Sequence, residues 1–240
     1  MNPEPVDRHL HWPGCRNVRD LGGLPTADGR VVRTGRLIRA DSMAFLSPAG
    51  IDVVRESGVS RIVDLRSVGE LAETPSPFAG DPLGLHVSLQ DPADPPQDKA
   101  TIVETCIDML DLHPELFAAA VLAIVEAPDG AVVVHCHGGK DRTGMVVALA
   151  LSIAGVPEDE IIADYALTQA RLAPLLAEQL AAEADESLHP QMIEFRDTRA
   201  ESLTAILRHL DTQYGGPEPY LRHAGLTTAQ LDALKDRLTG

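Results

Sequence analysis

Cys136 and Arg142 stand six positions apart, and the five residues between them, His137, Gly138, Gly139, Lys140 and Asp141, are small or polar and unsuited to a core. A thiol and a guanidinium at this spacing suit chemistry on a tetrahedral oxyanion. Deprotonated cysteine is a strong nucleophile. A guanidinium is a planar fork that meets two oxygens of one phosphate, which the point charge of a lysine does not match. Cys136 therefore reads as nucleophile and Arg142 as clamp, with His137, Gly138, Gly139, Lys140, Asp141, Arg142 and Thr143 as the phosphate-binding loop.

That loop needs a frame. Asp129-Gly130 is a turn, and the β-branched run Val132-Val133-Val134 after it predicts a buried strand of a parallel sheet. From Thr143 to Ala154 the chain is apolar on nearly every side, which predicts a buried helix ended by Gly155-Val156-Pro157. Strand, glycine-containing loop and helix N-terminus together make an anion site, and the same field favours a thiolate at Cys136.

Further strands are expected at Ser60 to Leu65 and Leu83 to Leu89, with a hairpin or a pair of short strands over Arg30 to Arg39. Helices are expected from the Ser47-Pro48 start to Gly58, from Ala100 to Leu112 with Cys106 turned inward, and from Pro114 to Ala127. The alternation predicts one α/β domain over residues 1–240, a central parallel-type sheet flanked by helices. After Pro157 the chain reads as a helical C-terminal cover. Glu158 to Glu186 carries apolar residues at helical spacing and is expected as two helices split at Pro174; Gln191 to Gln213 and Thr227 to Leu238 come after it. The polar, acidic stretch at about 157–189 directly follows the loop-bearing helix and is expected to form a lid-like insertion over the site.

Hydrophobic residues make up 44% of the chain and aromatic ones only 3%, so aliphatic side chains must fill the core. A formal net charge of −16 argues against nucleic acid or an anionic membrane surface as a bulk partner. Three irregularly spaced cysteines suit a reducing compartment, and neither a signal peptide nor a bilayer-spanning run is visible. The cytoplasm is the expected location, with release by another route left open; oligomeric state stays unassigned. Trp12 is expected to be pinned to the fold's surface. His9, His11 and Cys15 lack the spacing and the fourth ligand of a zinc site, so no metal and no cofactor are expected.

The stretch His135-Cys136-His137-Gly138-Gly139-Lys140-Asp141-Arg142-Thr143-Gly144 resembles the signature of the cysteine-dependent phosphatases, the protein tyrosine and dual-specificity phosphatase superfamily. Its Gly-Lys-Asp-Arg-Thr form is similar to that of bacterial tyrosine phosphatases that also resemble inositol-lipid phosphatases. Asn17 to Gly23, Asp64-Leu65-Arg66, and Tyr214-Gly215-Gly216 leading into Tyr220-Leu221-Arg222 extend the resemblance over almost the whole chain. His137-Gly138 departs from the apolar or small pair common in relatives, and the added glycine is expected to loosen the loop.

The resemblance implies hydrolysis of phosphate monoesters through a phosphocysteine, with phosphorylated protein or phosphoinositide as substrate and no metal. It gives Thr143 a hydroxyl role beside the thiolate and His135 a role in orienting the loop. It also implies that Asp64 and Arg66 brace the loop, the plain alternative being an edge ion pair. Arg19 and Asp20, within the matching Asn17 to Gly23 stretch, are expected with these residues in the layer behind the loop; read from the residues alone they are a salt-bridged turn. For the general acid, the proline-stiffened loop Gln90-Asp91-Pro92-Ala93-Asp94-Pro95-Pro96 offers Asp91 and Asp94, while the subfamily pattern offers Asp141. Sulfur transfer, which also uses a cysteine heading an anion loop, and a non-catalytic phosphate reader are the other classes compatible with part of the pattern. Lys140 to Thr143 argues against the first, and the intact Cys136, Arg142 and Thr143 against the second.

Overall fold

The computed structural model describes residues 8–91, 101–196 and 198–240. Its sheet is built of β1 (Arg19–Asp20), β2 (Leu37–Ala40), β3 (Val59–Asp64), β4 (Gly84–His86) and β5 (Ala131–His135), in the order β1-β2-β5-β3-β4. Only β1 runs antiparallel to its neighbour. The valines of β5 suit the central position, where both faces are covered. Val132 and Val134 join the larger core cluster, whereas Ala131 and Val133 join a smaller one with Trp12, Ile38, Val54 and Ile62. Trp12 is thus a core residue, not a surface clip.

On the smaller cluster lies α1 (Pro48–Glu56), capped by the Ser47 hydroxyl, which accepts from Gly50 N. The opposite face carries α3 (Ile102–Leu112), α4 (Pro114–Val125), α5 (Asp141–Ala154), α8 (Ala200–Tyr214), α9 (Pro217–His223) and α10 (Thr228–Thr239). Cys106 is buried on α3 as expected. α5 is buried on nearly every side and stops at Gly155, whose left-handed φ of 84° ends the helix. Two shorter helices complete the fold, α2 (Val68–Glu73) after β3 and α7 (His189–Arg196) before α8. Among the described residues no helix is long and apolar enough to cross a membrane.

Four local expectations are corrected. Arg30 to Arg39 does not make a hairpin: only Leu37–Ala40 is strand, parallel to β5, and its antiparallel partner is Arg19–Asp20. The strand expected over Leu83 to Leu89 is only Gly84–His86. Gln191 to Gln213 is not one helix but the end of α7 and most of α8.

The break expected at Pro174 is absent, and α6 (Glu158–Ala182) is one 25-residue helix running through it. Proline removes one i to i−4 hydrogen bond, here the one to the Ala170 carbonyl. Both Ala170 and Pro174 lie on the exposed side, where solvent can meet the orphaned carbonyl. Meanwhile Ile161, Asp164, Tyr165, Thr168 and Leu172 fix the preceding turns in the protein interior.

Candidate active site

The Cys136 to Arg142 loop leaves the C-terminal end of β5 and enters the N-terminus of α5, so it lies where the parallel strands end and a helix dipole begins. A pocket of about 340 Å³ opens there, lined by Cys136, His137, Gly138, Lys140, Asp141 and Arg142 from the loop and by Glu70, Glu73, Thr74 and Leu172 from α2, its end and α6. Cys136 is buried at its floor. The structure therefore gathers the predicted nucleophile, clamp, lysine and loop aspartate around one cavity. Asp91 is not among the residues lining it, and Asp94 lies outside the described residues.

The carbonyls of the loop are tied down from behind. Ser42 N donates to His137 O at 2.9 Å, Asn17 Nδ2 to Gly138 O at 3.0 Å and Gly139 O at 3.2 Å, and Arg39 Nη2 to Gly139 O at 2.8 Å. In a trans peptide C=O and N–H point in opposite directions, so carbonyls drawn away from the cavity turn the following amides toward it. Asn17 is itself held by Asp41, whose two oxygens accept from Arg16 N at 2.9 Å and Asn17 N at 3.1 Å. The loosening expected from Gly138 is countered by these bonds. Gly139 has no substitute at its position: φ is 65°, and a Cβ would sit 2.4 Å from Ala40 O. Gly144 is crowded for a different reason, since a Cβ would stand 2.8 Å from the Tyr165 ring of α6.

Arg142 is held by a residue that the motifs did not single out. Glu70 accepts from its Nη1 at 2.5 Å and Nη2 at 2.8 Å, and it also accepts from Ser67 N at 2.8 Å as part of the capping box that starts α2. Burial would raise the Glu70 pKa, but the hydrogen bonds and charge of Arg142 together with the Ser67 amide bring it down to about 2. The sequence signal was Ser67-x-x-Glu70, which predicts a helix start but names no distant partner. With the end of the fork engaged by Glu70, the Nε edge of Arg142 is the one left for an oxyanion.

Asp141 is pushed the other way. Burial raises its carboxyl pKa, outweighing Lys140, whose Nζ is 3.6 Å away, and the Tyr165 hydroxyl, which donates at 3.3 Å. A carboxyl whose pKa is raised beside a phosphate site is better placed to donate a proton.

Asp64 and Arg66 form a buried pair, with Arg66 Nη2 donating to Asp64 Oδ2 at 2.7 Å and Nη1 to Thr74 O at 2.8 Å. Asp64 Oδ2 is also 3.5 Å from His135 Nε2, and His135 Nδ1 donates to Cys136 O at 3.1 Å. The contact with Asp64 is one of proximity, since His135 Nε2 has no hydrogen-bond partner among the described residues, and burial lowers the imidazole pKa. The Thr143 hydroxyl is wholly buried, with no hydrogen-bond partner among the described residues. Arg19 and Asp20 do not brace one another. Asp20 accepts from Gly22 N and Gly35 N, at 2.8 and 2.7 Å, while Arg19 donates to Asn17 Oδ1 and to Asp164 of α6.

Comparison with known proteins agrees with this geometry. The tyrosine phosphatase family model matches residues 10–240. The chain is 32% identical over 230 residues to a Cupriavidus necator protein provisionally named a tyrosine-protein phosphatase, an alignment covering 90% of this chain and 84% of that one. It is 28% identical over 274 residues to the triple specificity protein phosphatase PtpB of Mycobacterium tuberculosis, covering 95% and 98%. Identity to a tyrosine-protein phosphatase of Nostoc commune is 29% over 228 residues, covering 89% and 78%.

Proposed function

From the premise that the chain belongs to the tyrosine phosphatase family, and is a phosphatase, we propose that it hydrolyses phosphate monoesters, phosphotyrosine first, through a phosphocysteine on Cys136. The observation that carries this assignment of roles is the convergence of Cys136, Lys140, Asp141 and a Glu70-restrained Arg142 on one pocket. In the first step the Cys136 thiolate attacks phosphorus opposite the ester oxygen; the S–P bond forms as the P–O bond breaks. Arg142 and the loop amides neutralise the equatorial oxygens. Asp141 gives its proton to the leaving oxygen and becomes the base that takes a proton from water in the second step. Water attacks phosphorus, the S–P bond breaks, and inorganic phosphate leaves with the thiolate restored. His135 and Thr143 act from behind the thiolate, orienting the loop and offering it a hydroxyl. Neither step calls for a metal or cofactor.

The Mycobacterium tuberculosis relative is named a triple specificity protein phosphatase, which makes more than one substrate class worth testing here. Lys140 in the pocket wall is the feature of this chain that favours a second, phosphoinositide reading, since it offers charge beside the clamp. Phosphate release from phosphotyrosine peptides, phosphoserine peptides and soluble phosphoinositides, each compared with Cys136→Ser, tests both readings. Turnover of phosphotyrosine by the wild type alone supports the first; release from no substrate, or equal release by the variant, refutes the mechanism. Unpaired Cys15, Cys106 and Cys136 favour a reducing, cytoplasmic setting.

A further inference from the structure

Beneath the phosphate loop, arginines from three separate places in the chain end on one carboxylate. Asp164 of α6 is wholly buried; its Oδ1 accepts from Arg19 Nε at 3.0 Å, and its Oδ2 from Arg19 Nη2 at 3.1 Å and Arg39 Nη1 at 3.0 Å. Arg8 Nη1 lies 2.9 Å from Oδ1. A buried ion cluster of this kind is ordinarily a packing device. What distinguishes this one is the destination of the remaining donors. Arg19 Nη1 donates to Asn17 Oδ1 at 2.8 Å, and Asn17 passes both of its Nδ2 hydrogens to Gly138 O and Gly139 O. Arg39 turns Nη1 to Asp164 and Nη2 to Gly139 O. Arg8 meets the same carboxylate but not the loop carbonyls, and so serves as an internal contrast.

We propose that Asp164 is a positioning residue for phosphate binding and turnover. By anchoring Arg19 and Arg39 it fixes the donors that draw the carbonyls of Gly138 and Gly139 backward, and so turns the loop amides toward the phosphate. A guanidinium bridging a carboxylate and a carbonyl needs two donors at a fixed angle, which arginine has and lysine lacks. With the carboxylate gone, Arg39 loses its anchor, and Arg19 keeps only the Asp164 carbonyl and Thr168 hydroxyl on Nη2, without the charged acceptor that fixes its Nε edge. Asp164 remains ionised at neutral pH, since Arg19 and Arg39 outweigh the burial that would raise its pKa and bring it to about 2. The sequence cue was a lone acid within the buried stripe Ile161, Tyr165, Thr168 and Leu172. Because α6 also contributes Leu172 to the pocket wall, one helix sets both the floor and one side of the site.

The inference rests on the phosphatase reading, and the experiment separates the two. The inhibition constant of orthovanadate against nitrophenyl phosphate hydrolysis, with the thermal midpoint alongside, is measured for wild type, Asp164→Asn, Arg39→Lys, Asn17→Ala and Arg8→Ala. Folded Asp164→Asn is expected to bind vanadate at least about tenfold more weakly, Arg39→Lys and Asn17→Ala at least about fivefold, and Arg8→Ala within about twofold of wild type, whatever each does to the midpoint. Asp164→Asn and Arg39→Lys should also be non-additive when combined, since both act on one bridge. A merely structural Asp164 lowers the midpoint and leaves vanadate affinity alone, and that result overturns the proposal. If Asp164→Asn does not fold, unchanged vanadate binding in both Arg39→Lys and Asn17→Ala overturns it instead. A wild type that neither binds vanadate nor hydrolyses nitrophenyl phosphate refutes the phosphatase reading itself.

Discussion

Replacing Glu70 by Gln removes the charge that holds Arg142 while keeping the side chain's size. The wild-type pair is bidentate, at 2.5 and 2.8 Å, with 15% of the Arg142 side chain and 26% of the Glu70 side chain exposed. Glu70 falls from its ordinary 4.5 to about 2: burial opposes ionisation, but Arg142 and the Ser67 amide override it. At about 1.4 kcal/mol per unit the drop corresponds to about 3 kcal/mol. Solvent screening of a half-buried pair reduces this to about 1.5 kcal/mol. Glutamine still presents one acceptor to Arg142 and still serves as the third residue of the Ser67 capping box, so most of the loss falls on the orientation of the guanidinium.

Glu70→Gln should therefore lower kcat/KM for nitrophenyl phosphate by about tenfold and weaken vanadate to a similar degree. The pH dependence has a definite sign. A carboxyl with a depressed folded pKa stabilises fully above its unfolded value of 4.5 and loses that contribution as the pH falls toward about 2. The ratio of wild type to variant is thus constant through the neutral range and shrinks only in acid. Activity within about twofold of wild type, or higher than it, refutes the reasoning: Glu70 would then be a competitor that substrate displaces from Arg142 rather than a brace.

Cys136→Ser should abolish turnover yet retain vanadate or phosphate binding, because Arg142 and the loop amides build the anion site; residual turnover within about tenfold of wild type sinks the thiolate mechanism. Asp141→Asn should cost roughly 10²- to 10⁴-fold on phenyl phosphate and much less on nitrophenyl phosphate, whose leaving group needs no proton. Burial raises the Asp141 pKa, so the acid is present below that raised value and lost as the pH climbs through it. The alkaline limb on phenyl phosphate should vanish in the variant. Equal slowing of both substrates would make Asp141 a loop-shaping residue and move the comparison to Asp91. Removing residues 175–186 tests the proposed lid: nitrophenyl phosphate turnover should stay within about twofold, phosphoprotein turnover rise, and peroxide inactivate Cys136 faster, whereas unfolding or unchanged peroxide sensitivity assigns the segment to the core.

The loop was legible in the sequence because its chemistry is contiguous: β5, the glycines and the start of α5 lie within about two dozen residues, and local rules for strands, turns and caps apply. Of its supports, the resemblance marked His135, Arg19, Asp64 and Arg66, but not the distant partners Asp164 and Glu70. Arg19 meets Asp164 across 145 positions and Arg142 meets Glu70 across 72, distances over which spacing carries no information. Arg19-Asp20 looked like an internal ion pair because the residues are adjacent. Adjacent residues of a strand point to opposite faces, however, and each found its partner elsewhere. The short strands were misjudged for a related reason. Arg30 to Arg39 alternates well enough for a hairpin, but pairing with the valines of β5 captures only Leu37–Ala40.

At Pro174 a local rule meets its limit, and the helix that continues through it constrains how a lid could move. Every fully buried residue of α6 precedes the proline, from Ile161 to Leu172. Asp164 and Tyr165 lock that half against Arg19, Arg39 and Asp141, so its movement would disturb the floor of the pocket. Beyond Pro174 the helix is tied to the body at Arg16, whose exposed bidentate bond to Glu178 is weak by its exposure. A proline within a helix removes one backbone bond, and helices bend most readily where such a bond is missing. Any opening of the cover should therefore hinge near Pro174 and leave Asp164 undisturbed, which separates access to the pocket from the geometry of its floor. Pro174→Ala restores the missing bond and should slow turnover of phosphoprotein without changing vanadate affinity. A parallel loss of both would mean that α6 moves as one rigid piece.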